Sequence, residues 1–167
     1  MHKVIKTTII NLKMNTVFDF TVKDRKGNNV ALNNYQDEVL LIVNTAIQCP
    51  ATPQYAELEA LYETYHSQGF AVLDFPSNQP TKSCPGKDDM VHQFVKDNYN
   101  TEFPRFKKIK VNGDDAEPLY KYLKEMKEGE ITEDFTKFLV NKRGRVVERY
   151  AADVPFATIE EDIKKIL

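Results

Sequence analysis

Cys49 stands between an apolar run, VLLIVNTA at 39–46, and a segment with helical spacing, TPQYAELEALYETYHSQG at 52–69. A thiol at that junction lies near a helix N-terminus, where backbone N–H groups and the positive end of the macrodipole favour thiolate over thiol. Such a cysteine is a nucleophile. Free cysteines are also among the most buried residues and pack as small hydrophobes, so position alone leaves both roles open. A second polar segment, SNQ at 77–79, follows another apolar run, FAVLDFP at 70–76. If the two runs are parallel strands, their carboxyl ends share one edge of a sheet and bring the two loops together. The Gln79 amide is then placed to donate a hydrogen bond to the Cys49 sulfur. Cys84 lies five residues further on, in the same loop.

The elements that must position these residues are readable from periodicity. VFDFTV at 17–22 and NVALN at 29–33 flank the polar turn DRKGN and predict an N-terminal hairpin. The run at 39–46 is apolar on both faces, as a central strand requires. The helix after Cys49 has Thr52 as its expected N-cap, Pro53 at its first position and Gly69 past its end, with Tyr55, Leu58, Leu61, Tyr62 and Tyr65 at helical spacing. Further helices are predicted over 88–99, with Met90, Val91, Phe94 and Val95 on the packed face, and over 116–127, with Leu119, Tyr122, Leu123 and Met126. TKFLVN and RVVERY form a hairpin through KRG, and ATIEEDIKKIL closes the chain as an amphipathic helix. This alternation is the order of a thioredoxin-like α/β fold, a central mixed sheet flanked by helices, with an N-terminal β-hairpin. We read residues 14–167 as a single thioredoxin-like domain and 1–13 as an N-terminal extension.

Composition narrows the class. The chain has 167 residues, a formal net charge of −2 and only two cysteines, which fits one soluble domain in a reducing compartment and argues against a secreted disulfide scaffold. Basic residues are scattered, with KKIK at 107–110 and NKRGR at 141–145 read as a solvated edge and a turn, so no nucleic-acid partner is expected. The N-terminal stretch is too short and polar for a membrane span or signal core, so the expectation is a cytoplasmic protein with no membrane partner. His2, His66 and His92 are too far apart for a local zinc motif, and the latter two read as helix-surface residues; no glycine-rich phosphate loop occurs. No metal or cofactor is therefore expected. CPAT at 49–52 is not the CxxC of a disulfide oxidoreductase.

Longer stretches carry a resemblance. NTAIQCPATPQY at 44–55, GFAVLDFPSNQP at 69–80, VNGDDAEPLYKYLK at 111–124 and EDFTKFLV at 133–140 resemble the glutathione peroxidase family, in its small bacterial, thioredoxin-dependent form, over roughly residues 15–167. The resemblance implies a peroxidatic Cys49 and a catalytic Gln79, a peroxide substrate, thioredoxin or a small thiol as reductant, and a monomer, because the segment at 124–130 is short. The departures fall at the site. The chain has no tryptophan, and Glu133 and Asp134 stand at the family's tryptophan and asparagine positions. Carboxylates there remove two N–H donors and bring negative charge towards the sulfur. Pro50 replaces the usual glycine, and the loop after Gln79 reads PTKSCPG. The family's resolving cysteine sits two residues beyond a phenylalanine that corresponds to Phe94, and Lys96 occupies that position, which leaves Cys84 as the candidate resolving cysteine. Two functions follow: a thiol peroxidase, or a catalytically impaired homologue acting as a redox sensor or protein-binding module.

Overall fold

A computed structural model describes residues 16–167, so the extension expected at 1–13 and the expected start of the domain at residue 14 lie outside the described residues. Six strands and four α-helices follow one another: β1 (Thr21–Lys23), β2 (Asn29–Ala31), β3 (Val39–Thr45), α1 (Gln54–Tyr65), β4 (Phe70–Pro76), α2 (Asp88–Tyr99), α3 (Pro118–Met126), β5 (Lys137–Val140), β6 (Val146–Tyr150) and α4 (Phe156–Ile166). The main sheet runs β4-β3-β5-β6, and β1 pairs with β2 in a separate ribbon. β3 and β4 are parallel, in register from Val39 opposite Phe70 to Thr45 opposite Pro76, whereas β5 runs antiparallel to both β3 and β6. Every residue of β3 and β4 is buried, which explains why both are apolar apart from Asn44 and Thr45 in β3 and Asp74 in β4. Val17–Asp19, expected to begin the first strand, instead forms a 3₁₀ turn before β1.

The sheet divides the core in two. Val39, Leu41, Val43, Phe70 and Val72 pack against α1, α2 and α4 through Tyr55, Leu58, Val91, Val95, Ile159 and Ile163. The alternate residues, Leu40, Ile42, Leu73, Phe75 and Phe138, face α3 and the N-terminal ribbon through Leu119, Tyr120, Leu123, Val22 and Leu32. This is the strand alternation expected of a sheet covered on both sides. Two methionines assigned to packed faces are on the outside: Met90 is 62% exposed and Met126 46%. On α2 the buried stripe is centred on Val91 and Val95, which turns Met90 out, and Met126 is the last residue of its helix. At the end of the α1 segment Gly69 takes φ 88°, and its carbonyl receives the N–H of Val39, so the left-handed residue also ties the turn to the start of β3. No described helix is long and apolar enough to cross a membrane.

One carboxyl lies in the middle of this core. Asp74 of β4 is completely buried on the α1/α2 side, with Thr45 donating its hydroxyl proton to Oδ1 and the Tyr55 hydroxyl 3.4 Å from the same oxygen. Burial pushes its pKa up to about 6, although the Thr45 hydrogen bond, the Arg105 charge and the Tyr55 hydrogen bond pull the other way. His92, expected on the helix surface, is half-buried with its Nδ1 enclosed, and it lines a small cavity with Asp74 and Arg105. The folded carboxyl keeps its proton up to about pH 6, while the unfolded chain releases it near pH 4. Between those values the folded state binds more protons, so this group's contribution to stability falls as pH rises. Asp74→Asn should therefore stabilise the fold at pH 7 by up to about 3 kcal/mol and have little effect at pH 3.5. Urea unfolding at the two pH values checks this, and a net loss at pH 7 would show that the carboxylate's pairing with Arg105 outweighs its burial.

Candidate active site

At the carboxyl end of β3 the chain turns sharply. The N–H groups of Ile47 and Gln48 both donate to the Ser83 carbonyl, at 3.2 and 2.9 Å, which stitches the cysteine loop to the loop after β4. Thr52 then closes the turn. Its hydroxyl accepts the Cys49 N–H at 3.0 Å, lies 2.9 Å from the Ala46 carbonyl as its donor, and is 3.6 Å from the Cys49 sulfur. Thr52 is thus not the helix cap that its position suggests. Its oxygen is spent on the cysteine loop, and the chain winds through i to i+3 turns at 51–56 before α1 begins at Gln54. Cys49 is half-buried on this tightened turn.

An open cleft of about 240 Å³ lies beside it, lined by Cys49, Pro50, Ala51, Thr81, Ser83, Glu133, Asp134 and Ala152. Both carboxylates named from the sequence reach this cleft. Asp134 is buried; it accepts the Thr81 hydroxyl, and it lines the cleft together with Cys49. Burial raises its pKa, the Thr81 and Cys49 hydrogen bonds lower it, and the neighbouring Glu133 charge raises it, with a net upward shift. The Thr81 and Ser83 hydroxyls are 2.8 Å apart, so Ser83 can donate to Thr81 while Thr81 donates to Asp134. Glu133 is anchored by the Ala152 N–H, 2.7 Å from Oε1.

Asn44 of β3 fixes the backbone that carries these acids. Its side-chain NH₂ donates to the Glu133 carbonyl at 3.2 Å, and its carbonyl receives the Phe135 N–H at 2.7 Å. Phe135 has φ 63°, a left-handed conformation that is costly for a large side chain and is kept only where surrounding contacts impose it. The clamp directs Asp134 to the cleft and buries Phe135 on the opposite side, against Tyr55.

Gln79 does not line the cleft. Its amide oxygen accepts the N–H groups of Val111 and Asn112, at 2.9 and 3.1 Å, and no hydrogen bond joins it to Cys49 among the described residues. Cys84 is fully buried in the α1/α2 core, where burial pushes its thiol up to about 11 despite the nearby Lys108 charge. Its neighbour Ser83 faces the cleft, so Cys84 meets Cys49 only if the 80–86 loop turns its thiol outward. Both cysteines are free. Thr81, Ser83, Asn44 and Ala152 were not singled out from the sequence, and Thr52 was named only as a helix cap. The one local signal for them is a hydroxyl or amide at the end of a strand or in the loop beside it, which is too common to be selective.

The site and fold can now be set beside known proteins. The profile of the glutathione peroxidase family matches residues 17–124. The chain belongs to the glutathione peroxidase family. It is 46% identical over 156 residues to the glutathione peroxidase homolog BsaA of Halalkalibacterium halodurans, covering 91% of this chain and 99% of that one. It is 42% identical over 158 residues to the glutathione peroxidase-like peroxiredoxin gpx1 of Schizosaccharomyces pombe, covering 92% of this chain and 100% of that one. The apo crystal structure of Trgpx superposes with a TM-score of 0.74 at 36% identity, over 90% of this chain and 95% of that one. A thioredoxin-family thiol:disulfide interchange protein of Chlorobium tepidum shares the fold at 17% identity, with a TM-score of 0.69 over 88% of this chain and 92% of that one. The protein is thus a peroxidase of this family on a thioredoxin-like fold.

The contrast in burial between the two thiols gives a direct test. In the folded protein iodoacetamide should modify Cys49 and leave Cys84 unmodified until denaturant is added, as peptide mass spectrometry would show. Equal modification of both under native conditions would mean that the 80–86 loop opens readily.

Proposed function

We propose that this peroxidase reduces hydrogen peroxide or organic hydroperoxides through Cys49, with Asp134 carrying the proton that the reaction must move. The observation behind this reading is the Asp134 carboxyl, buried beside the thiol, with its pKa raised by that burial from the ordinary aspartate value. The Cys49 proton passes to the ionised carboxyl as the sulfur attacks the terminal peroxide oxygen. A sulfur–oxygen bond forms, the oxygen–oxygen bond breaks, and Asp134 returns the proton to the departing alkoxide. Thiol and hydroperoxide thus give sulfenic acid and alcohol, without a net change in protons. In this reading the carboxyl substitutes for neutral N–H donors, and Gln79 supports the loop at 111–112 and offers its NH₂ as a donor.

The sulfenic acid must next meet a thiol, which forms a disulfide and releases water. The burial of Cys84 favours an external reductant, thioredoxin or a small thiol, over an internal Cys49–Cys84 bridge. A monomer acting in a reducing cytoplasm accords with this scheme. The replacement of the family's tryptophan and asparagine by acids supports one alternative, an impaired homologue that records a single oxidation as a redox sensor or binding module.

Stopped-flow measurement of peroxide consumption, with and without thioredoxin, separates the two readings, since a sensor reacts once and does not turn over. Cys49→Ser should abolish turnover with the fold intact, and Gln79→Ala should slow it. Asp134→Asn should reduce the rate by about a hundredfold or more, as expected for loss of a positioned proton carrier. It should also remove an acid limb of the pH–rate profile, shifted upward from an ordinary aspartate, because Asp134 must be ionised to accept the thiol proton. A faster Asp134→Asn enzyme would show instead that the carboxylate only opposes the thiolate.

A further inference from the structure

Lys137, the first residue of β5, is completely buried, and among the described residues no carboxylate lies within ion-pairing distance of it. An isolated ammonium in a protein interior is costly, so its surroundings should show what it holds. Its Nζ donates to the Gln54 side-chain oxygen at 2.7 Å and to the Phe135 carbonyl at 2.8 Å, and it lies 5.2 Å from the centre of the Phe156 ring. Gln54 in turn donates its amide to the Ala152 carbonyl at 2.8 Å, and the Ala152 N–H binds Glu133. One cation therefore connects the start of α1, the strained turn that carries Asp134, and the segment between β6 and α4. Those three segments supply Ala51, Glu133, Asp134 and Ala152 to the cleft.

We propose that Lys137 is a positioning residue of the site: its buried ammonium holds the Phe135 turn and the Gln54–Ala152 link in place, and loss of its charge loosens both around Cys49. It touches neither the sulfur nor the substrate position and acts through these neighbours. The inference rests on Cys49 being the reactive thiol, but not on peroxide being what it reacts with. The groups facing the ammonium are Glu133 from the turn before β5, Glu57 from α1 and Asp153 from the segment before α4, all of which favour the cation, with Tyr150 of β6 opposite it in register. Burial is the larger influence and brings its pKa down to about 8, so the charge is present at neutral pH and is lost in mildly alkaline solution.

The test compares Cys49 alkylation by iodoacetamide across pH 6–10 in the wild type and Lys137→Met, beside hydrogen peroxide turnover and thermal unfolding. Methionine fills a similar volume without charge, and replacing an unpaired buried cation should leave stability unchanged or increase it. Alkylation at pH 7 should slow by about tenfold or more, of the order expected when a reactive group is displaced from its productive position. The difference between the two proteins should shrink above about pH 8, where the wild-type lysine becomes neutral. Gln54→Leu, at a half-buried position, should slow alkylation in the same direction and covers the case in which Lys137→Met does not fold. A rate ratio independent of pH, or unchanged alkylation in both variants, overturns the proposal. The pH-dependent ratio without peroxide turnover in any form would sustain the role of Lys137 and remove the peroxidase scheme; normal turnover with no effect of either variant would do the reverse.

Discussion

Seven rungs of parallel pairing between β3 and β4 are the constraint from which the site follows. A parallel ladder needs a crossover, here α1, and it sends both strands out of the sheet at the same edge. The loop after β3 carries Cys49, and the loop after β4 carries Gln79, Thr81, Ser83 and Cys84. The Ser83 carbonyl fastens the two together by accepting two N–H groups from the cysteine loop. β5 arrives antiparallel on the other side of β3, so the segment that enters it, Glu133–Phe135, reaches the same edge. Three stretches distant in sequence thus meet because one central strand has neighbours of opposite direction.

What distinguishes this cleft is where its charge lies. Two carboxylates stand beside the thiol, one of them buried, and a buried lysine lies behind the turn that carries them. Hydroxyls of Thr52, Thr81 and Ser83 supply adjustable hydrogen bonds around the sulfur and the Asp134 carboxyl. Buried carboxyls are costly when ionised, which raises their pKa and suits them to holding a proton. An acid can perform by proton transfer what neutral donors perform by hydrogen bonding, which allows a peroxidase site to be built without tryptophan.

The strand at the centre of the sheet and the place of the candidate nucleophile at its end were legible because both depend on local pattern. An apolar run on both faces can only be a covered strand, and a cysteine followed by helical periodicity marks the junction. Local pattern misled where competing partners were distant in sequence. Thr52 has the form of a helix cap, yet Ala46 and Cys49 take its hydroxyl. Met90 matches an apolar stripe, but the centre of that stripe is set by the sheet beneath Val91 and Val95. Gln79 was expected near the sulfur from strand direction and from the family resemblance, yet its oxygen accepts two N–H groups at 111–112, from a segment more than thirty residues away.

The sequence by itself determined the family, the thioredoxin-like order of elements, the candidate nucleophile and the acids at 133 and 134, since each is a matter of residue type and short-range spacing. The tertiary structure decided the orientation of those residues. It turned the Cys84 thiol into the core while its neighbour faces the cleft, brought Thr81 to Asp134, and set an unpaired lysine behind the Phe135 turn. These outcomes depend on hydrogen bonds between residues tens of positions apart and on which side of the sheet each side chain is buried. Periodicity carries no information about such pairings, because the backbone and packing partners that fix them exist only once the strands have met.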